Sequence, residues 1–288
     1  MLKPITPRRS VLYMPGSNLR AMQKAQTLPC DAVILDLEDA VAPDQKELAR
    51  VQVTDMVRQK GFGKREVIVR INALSTPWGA ADLAAAKAAA PDAILVPKIS
   101  ATAELAALEA RLGDSNCRLW AMIETPQAIL RLESLAAAGG RLSCFVMGTN
   151  DLVKELHGRH TEDRAGIAAA LTLAVAAARA YHLAVLDGVY NDISNLPGFE
   201  GACRQGQAFG FDGKTLIHPS QIDPCNQIFA PDAAEVAAAR KIIAAFDAPE
   251  NLGKGAIALD GRMVERLHAD IARQTVALAD AIAAHKGE

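Results

Sequence analysis

The chain has 288 residues, half of them hydrophobic and 22% charged, and its 31 basic and 33 acidic side chains leave a formal net charge of −2. That length suits one large α/β domain or two small ones. The near-neutral charge excludes a generic attraction to nucleic acid or an anionic membrane. No apolar run approaches the ~20 residues of a membrane span, and the first ten residues lack the apolar stretch of a signal peptide.

In chain order, an apolar run at 10–14 ends at Pro15-Gly16, and Ser17 and Asn18 offer caps to a helix reaching towards Leu28. The next run, 32–35, ends in Asp36-Leu37-Glu38-Asp39, and a helical segment follows from about Asp44 to Gln59. Residues 67–69 lead into Arg70-Ile71-Asn72, with helix after Pro77; residues 93–96 lead into Pro97-Lys98, with Ser100 as the expected cap of the next helix. Two further runs end at Glu124 and at Gly148-Thr149-Asn150-Asp151, with helix between them. After Asp151 the pattern reads as two helices broken near His157-Gly158. The run 183–186 ends in Asp187-Gly188, a helix spans about 198–209, and the run 214–217 ends in His218-Pro219-Ser220. Beyond Pro231 a helix runs to about Phe246, residues 248–255 read as a flexible link, and a final amphipathic helix is expected from about Val264 to Ala284.

About eight short apolar strands, each followed by helix, are the arithmetic of a (β/α)8 TIM barrel. Continuous apolar strands, as opposed to alternating ones, fit a parallel sheet buried on both faces. A doubly wound open sheet is the alternative. The expected organisation is a barrel over 1–232 and a C-terminal helical extension over 233–288, acting as lid, oligomer arm or both.

In a barrel, the polar residues that follow the strands share one rim, where such enzymes keep their active sites. Glu124 and Asp151 would lie side by side there, and two carboxylates with open positions suit Mg²⁺. Against this stands a pair of solvated strand-end acids. Arg70 would grip a substrate carboxylate in two-point fashion and stabilise oxyanion charge. Asp36, Glu38 and Asp39 cannot all ligate one Mg²⁺ without excess charge, so they are expected to hold Arg70 or metal-bound waters, Asp39 equally serving as a helix cap. Lys98 is expected to pair with those acids, with imine formation as the alternative. His218 suits a cap-and-turn role. Arg8 and Arg9, with Arg20 beyond the glycine turn, are a weak candidate phosphate site. Cys30, Cys117, Cys144, Cys203 and Cys225 form no C-x-x-C pair and indicate core packing in a reduced, cytoplasmic chain without structural zinc.

Several of these stretches together resemble the citrate lyase β-subunit-like family of the HpcH/HpaI aldolase/citrate lyase superfamily. They are Arg9-Ser-Val-Leu-Tyr-Met-Pro-Gly16, Leu35-Asp-Leu-Glu-Asp-Ala-Val41, Val69-Arg-Ile-Asn72, Pro97-Lys98, Ile123-Glu-Thr-Pro126, Gly148-Thr-Asn-Asp-Leu152 and Gly213-Lys-Thr-Leu-Ile-His-Pro219. The resemblance covers nearly the whole chain. It implies a TIM barrel, Mg²⁺ held by Glu124 and Asp151, a substrate-binding Arg70, and acyl-CoA thioesters with a small keto acid as reaction partners. Residues 255–263 look like the family's lid, which would bring Asp260 over a neighbouring subunit's site, and members form trimers or hexamers. Tyr13 and Arg20 count with Arg70 and Glu124 as candidate substrate contacts. The implied activity is Mg²⁺-dependent carbon–carbon cleavage or formation on malyl-CoA or citramalyl-CoA, giving an acyl-CoA plus glyoxylate or pyruvate, with Arg70, Glu124 and Asp260 as catalytic residues. The alternatives are a (3S)-malyl-CoA thioesterase on the same site and a citryl-thioester lyase subunit. The stretch 148–152 and the retained Asp260 look more like the stand-alone CoA enzymes.

Overall fold

The computed structural model describes residues 5–286. Among them, eight parallel strands close into a barrel in sequence order: β1 (Ser10–Pro15), β2 (Ala32–Asp36), β3 (Glu66–Arg70), β4 (Ala93–Val96), β5 (Arg118–Ile123), β6 (Leu142–Met147), β7 (Ala184–Asp187) and β8 (Gly213–Leu216), with β8 pairing back onto β1. The closed barrel, not the open sheet, is the fold. Helices follow the strands, and no helix is long and apolar enough to cross a membrane among the described residues.

Successive side chains on a strand point to opposite faces, so the apolar interior can be read by twos. Val11, Ile34, Ile68, Leu95, Met122 and Val146 belong to one buried cluster that fills the barrel. Two residues further along each strand, the same inward direction is kept at the carboxyl rim, by Tyr13, Asp36, Arg70, Pro97, Glu124 and Gly148. The interior thus changes from hydrocarbon to charge over one layer.

Residues 8–227 form one compact unit, and the second joins residues 5–7 to the chain from residue 228 onward. In the second, helix Ala233–Asp247 is capped by Asp232 and packs against helix Arg266–Lys286, with Phe246, Ile257 and Ala269 as a small core. Between these helices lies an antiparallel hairpin of β9 (Ala256–Leu259) and β10 (Arg262–Glu265). The final helix therefore starts at Arg266, and Val264, expected in that helix, is in a strand. The cause is the Asp260-Gly261 turn, where both residues have positive φ (52° and 75°), as a two-residue hairpin loop of this type requires.

Two smaller expectations also fail. Helix Thr102–Leu112 is not capped by Ser100: Glu104 turns back and accepts from both Ser100 N–H and Ala101 N–H. Arg8 and Arg9, expected to offer a phosphate site, are both taken up by carboxylates. Arg8 makes a two-point pair with Glu66 (2.6 and 2.8 Å) and lies over the Trp120 ring, and Arg9 makes a buried pair with Asp31. Glu66 opens β3 and Asp31 precedes β2, so both arginines close the amino end of the barrel, opposite the rim that carries Glu124.

Candidate active site

Asp36 and Arg70 are direct partners in the β2–β3 ladder, so their side chains share the interior face. Arg70 donates Nε–H to Asp36 Oδ1 and Nη2–H to Asp36 Oδ2, both at 2.6 Å. The guanidinium lies over the Tyr13 ring at 4.8 Å, and Nη1 reaches Glu38 at 2.8 Å and Asp39 at 3.5 Å. The two-point grip expected for a substrate is therefore taken up by Asp36, and the Nη1 edge is the one turned to Glu38. Asp36 also accepts from Glu38 N–H and Ala40 N–H, so it ties the guanidinium to the loop that carries Glu38.

Glu124 follows β5 and is 2% exposed. Its Oε1 accepts from Lys98 N–H at 2.7 Å. Lys98 adopts a left-handed backbone (φ 56°), which is costly for a residue with a Cβ and is what turns its N–H inward. Gly148 lies directly across: a Cβ there would come within 2.5 Å of Glu124 Cβ and Oε2. Asp151 is half-buried in the first turn of helix Thr149–Glu155, not at a strand end. Burial, then the neighbouring Glu38 and Asp151 carboxylates, push the Glu124 carboxyl up to about 8. Burial, eased by Arg70, pushes Glu38 up to about 7, with Asp39 and Asp36 adding to the rise. Glu38 Oε2 is 2.8 Å from Arg70 Nη1, yet no donor is aligned to hydrogen-bond it.

The Glu38 and Asp151 carboxylates thus act electrostatically on Glu124, the charge of Glu38 and Glu124 is disfavoured, and Glu38 carries the orphaned oxygen, although among the described residues no three acids are grouped closely enough to form a metal-binding cluster. The unpaired Glu38 oxygen and the disfavoured charge on Glu124 are what a nearby hard cation would relieve, and Mg²⁺, which keeps open positions for water and substrate oxygens, needs only the two carboxylates Glu124 and Asp151. The lysine–acid pairing expected for Lys98 is electrostatic: its ammonium favours the charged form of Glu38, while its N–H holds Glu124.

Among the other singled-out residues, Arg20 is exposed on helix Leu19–Ala25. His218 caps the turn Pro219–Gln221, its Nδ1 accepting from Ser220 N–H. All five cysteines are buried and free. Asp260 belongs to the second unit, at the hairpin tip, paired with Lys241 at 2.5 Å. Lys46 and Asn72, which build the floor under the acidic loop, carried no signal beyond an ordinary helix start and a strand end.

Residues 9–219 match the HpcH/HpaI aldolase/citrate lyase family. The chain belongs to that family. Family relatives span nearly its whole length. It is 49% identical over 280 residues to a (3S)-malyl-CoA thioesterase of Cereibacter sphaeroides, covering 97% of both chains. It is 32% identical over 282 residues to the citrate lyase subunit beta of Escherichia coli strain K12, covering 95% of this chain and 93% of that one. In three dimensions it is similar to the protein CitE of Mycobacterium tuberculosis in complex with magnesium, acetoacetate and coenzyme A, with a TM-score of 0.77 and 29% identity, covering 95% of this chain and 98% of that one.

Proposed function

We propose that this family member is a Mg²⁺-dependent enzyme of CoA thioesters bearing a hydroxyl and a carboxyl on carbon 3, with malyl-CoA as the type. The observation that carries the proposal is the buried Glu124, its charge disfavoured by Glu38 and Asp151 and favoured by an arginine that is already fixed by Asp36. Glu124 and Asp151 would hold the metal. Bound there, Mg²⁺ would supply Lewis-acid polarisation of the substrate's hydroxyl and carboxylate oxygens.

Arg70 is assigned the carboxyl end of the substrate through its Nη1 edge, with Tyr13 as the wall beneath it and Arg20 as a contact for the outer part of the ligand. A guanidinium that cannot rotate is preorganised for the charge that develops as the substrate hydroxyl loses its proton. In the carbon–carbon reaction, loss of that proton makes the carbonyl of glyoxylate or pyruvate, the bond to carbon 2 breaks, and its electron pair forms a thioester enolate. Asp260 is assigned the proton that converts this enolate to the acyl-CoA, and its removal in the reverse sense.

A second reading uses the same binding residues for hydrolysis to malate and free CoA. The 49% identity to a (3S)-malyl-CoA thioesterase, against 32% to a citrate lyase β subunit, favours it as the net reaction. Purified protein with Mg²⁺ and malyl-CoA is expected to release free thiol. Glyoxylate with acetyl-CoA and no free thiol assigns carbon–carbon cleavage in its place, and neither product sinks the proposal. A homotrimer or hexamer in the cytoplasm completes the reading, supported by the family resemblance and by five free thiols that suit a reducing compartment.

A further inference from the structure

Lys46 opens helix Lys46–Arg58 and is only 6% exposed. Its ammonium donates all three hydrogens to neutral acceptors: Leu37 O at 2.8 Å, Glu38 O at 2.7 Å and Asn72 Oδ1 at 2.8 Å. The Trp78 ring lies 5.3 Å away. On the other side of the same loop, Asp36 accepts from Glu38 N–H at 2.9 Å and Ala40 N–H at 3.1 Å, as well as from Arg70. The peptide groups of residues 37–40 are therefore strung between a cation on their carbonyl side and an anion on their N–H side. Asn72 adds a second anchor, donating Nδ2–H to Leu37 O and to Asp82 Oδ2, and Asp82 is held in turn by Arg50.

We infer that Lys46 is a positioning residue for the reaction: by gripping the Leu37 and Glu38 carbonyls it sets the acidic loop, and through Asp36 it fixes which edge of Arg70 faces the substrate. Lys46 touches no reacting atom. Its charge sits behind the loop, where it offsets the anionic group of Asp36, Glu38 and Asp39 without entering the site. A buried ammonium held by carbonyls is expensive unless all its donors are satisfied, and here they are. The metal pair is borne by other strands, Glu124 after β5 and Asp151 after β6, so releasing the loop should disturb the arginine side and spare the metal side.

The inference rests on the rim being the proposed carboxylate site, and the test separates the two. The probes are Mg²⁺ alone and then oxalate in saturating Mg²⁺, oxalate being a dianion that chelates as a 2-hydroxy or 2-keto acid does. In Lys46→Met, calorimetry is expected to show oxalate binding weakened about tenfold or more while Mg²⁺ affinity stays within about twofold. Lys46→Arg, which keeps the cation, is expected to recover part of the oxalate affinity, and kcat for malyl-CoA should fall along with the rise in KM in Lys46→Met. If Lys46→Met does not fold, Asn72→Ala, which removes one of the three Lys46 acceptors and one anchor of the Leu37 carbonyl while keeping the cation and its two main-chain bonds, should give the same split in the same direction. A folded Lys46→Met with unchanged oxalate affinity overturns the inference, as does a parallel loss of Mg²⁺ and oxalate binding, which marks a merely structural role. Wild-type protein that binds both probes but turns over no malyl-CoA, with Lys46→Met still showing the split, overturns the substrate reading alone; wild-type protein that binds no oxalate overturns both.

Discussion

Glu124 stands where burial, two neighbouring acids and one backbone donor meet, and its behaviour sets two expectations. The first concerns the glycine across from it. In Gly148→Ala the added Cβ has nowhere to go within 2.5 Å of the Glu124 side chain, so the carboxylate must be displaced. Mg²⁺ affinity, measured by titration calorimetry, is expected to drop about 10–100-fold, the range seen when the setting of a metal ligand is disturbed. The second concerns pH. The folded chain holds the Glu124 carboxyl at about 8 against an ordinary 4.5, so the protonated form is the one favoured by folding. Its contribution to stability is present in full below the lower value, fades as pH rises between the two, and is gone above the higher one. Glu38, at about 7, acts in the same sense. Metal-free protein in EDTA should therefore melt at a lower temperature at about pH 8.5 than at about pH 5.5, and Mg²⁺ should restore more at the higher pH, because binding requires the deprotonated acids. Equal melting temperatures across that window would contradict the crowding of carboxylates at the rim.

At the scale of the element, β2, β3 and β5 each deliver one functional side chain by the period of two that also buries their apolar residues. Ile34 and Asp36, Ile68 and Arg70, Met122 and Glu124 are such pairs, the first of each inside the core and the second at its edge. The β9–β10 hairpin is built differently. Its turn needs positive φ at both positions, which Asp260 tolerates and Gly261 adopts without strain. Asn shares that tolerance, so Asp260→Asn should keep the hairpin while removing the carboxylate. On the proposed chemistry, turnover should fall by at least about a hundredfold with CoA-thioester affinity, read by calorimetry, little changed. Unchanged turnover would remove Asp260 from the catalytic set. Asp-Gly between two alternating segments is itself a hairpin signal, and with it the start of the final helix at Arg266 was within reach of sequence reasoning; the amphipathic pattern that runs on from Val264 masked it.

For the molecule as a whole, the rim makes metal and stability one quantity. A cation that binds the folded chain and not the unfolded one stabilises by mass action, about 2.7 kcal/mol at a hundredfold excess over Kd. Thermal melts should therefore rise with Mg²⁺ and fall back with EDTA, and malyl-CoA turnover should vanish in chelator and return with Mg²⁺. Full activity in chelator would sink the metal assignment. Light scattering is expected to give a trimer or hexamer, and a monomer at micromolar concentration would remove the homo-oligomer from the reading.

What the sequence determined by itself is the barrel and the residues on its rim. Strand count, the apolar continuity of each strand and the polar residue at each strand end are local facts, and a closed parallel barrel converts them into one shared edge without further information. Arg70 and Glu124 were legible for that reason, and Asp151 as the first acid beyond β6, although it lies in the first turn of the following helix. Only the tertiary structure decided how those groups are used up. Arg8 and Arg9 read as phosphate ligands because basic residues near a glycine turn look alike at either end of a barrel, and their partners Glu66 and Asp31 lie 58 and 22 positions away. Arg70 read as free for a two-point grip, and Asp36, 34 positions earlier, takes that grip. Lys46 gave no signal because two of its three acceptors are main-chain carbonyls, which every residue possesses, and only the folded path of residues 37–38 turns them towards one ammonium. Charge type and spacing are local and can be read along the chain; the partner that neutralises a charge is set by long-range packing.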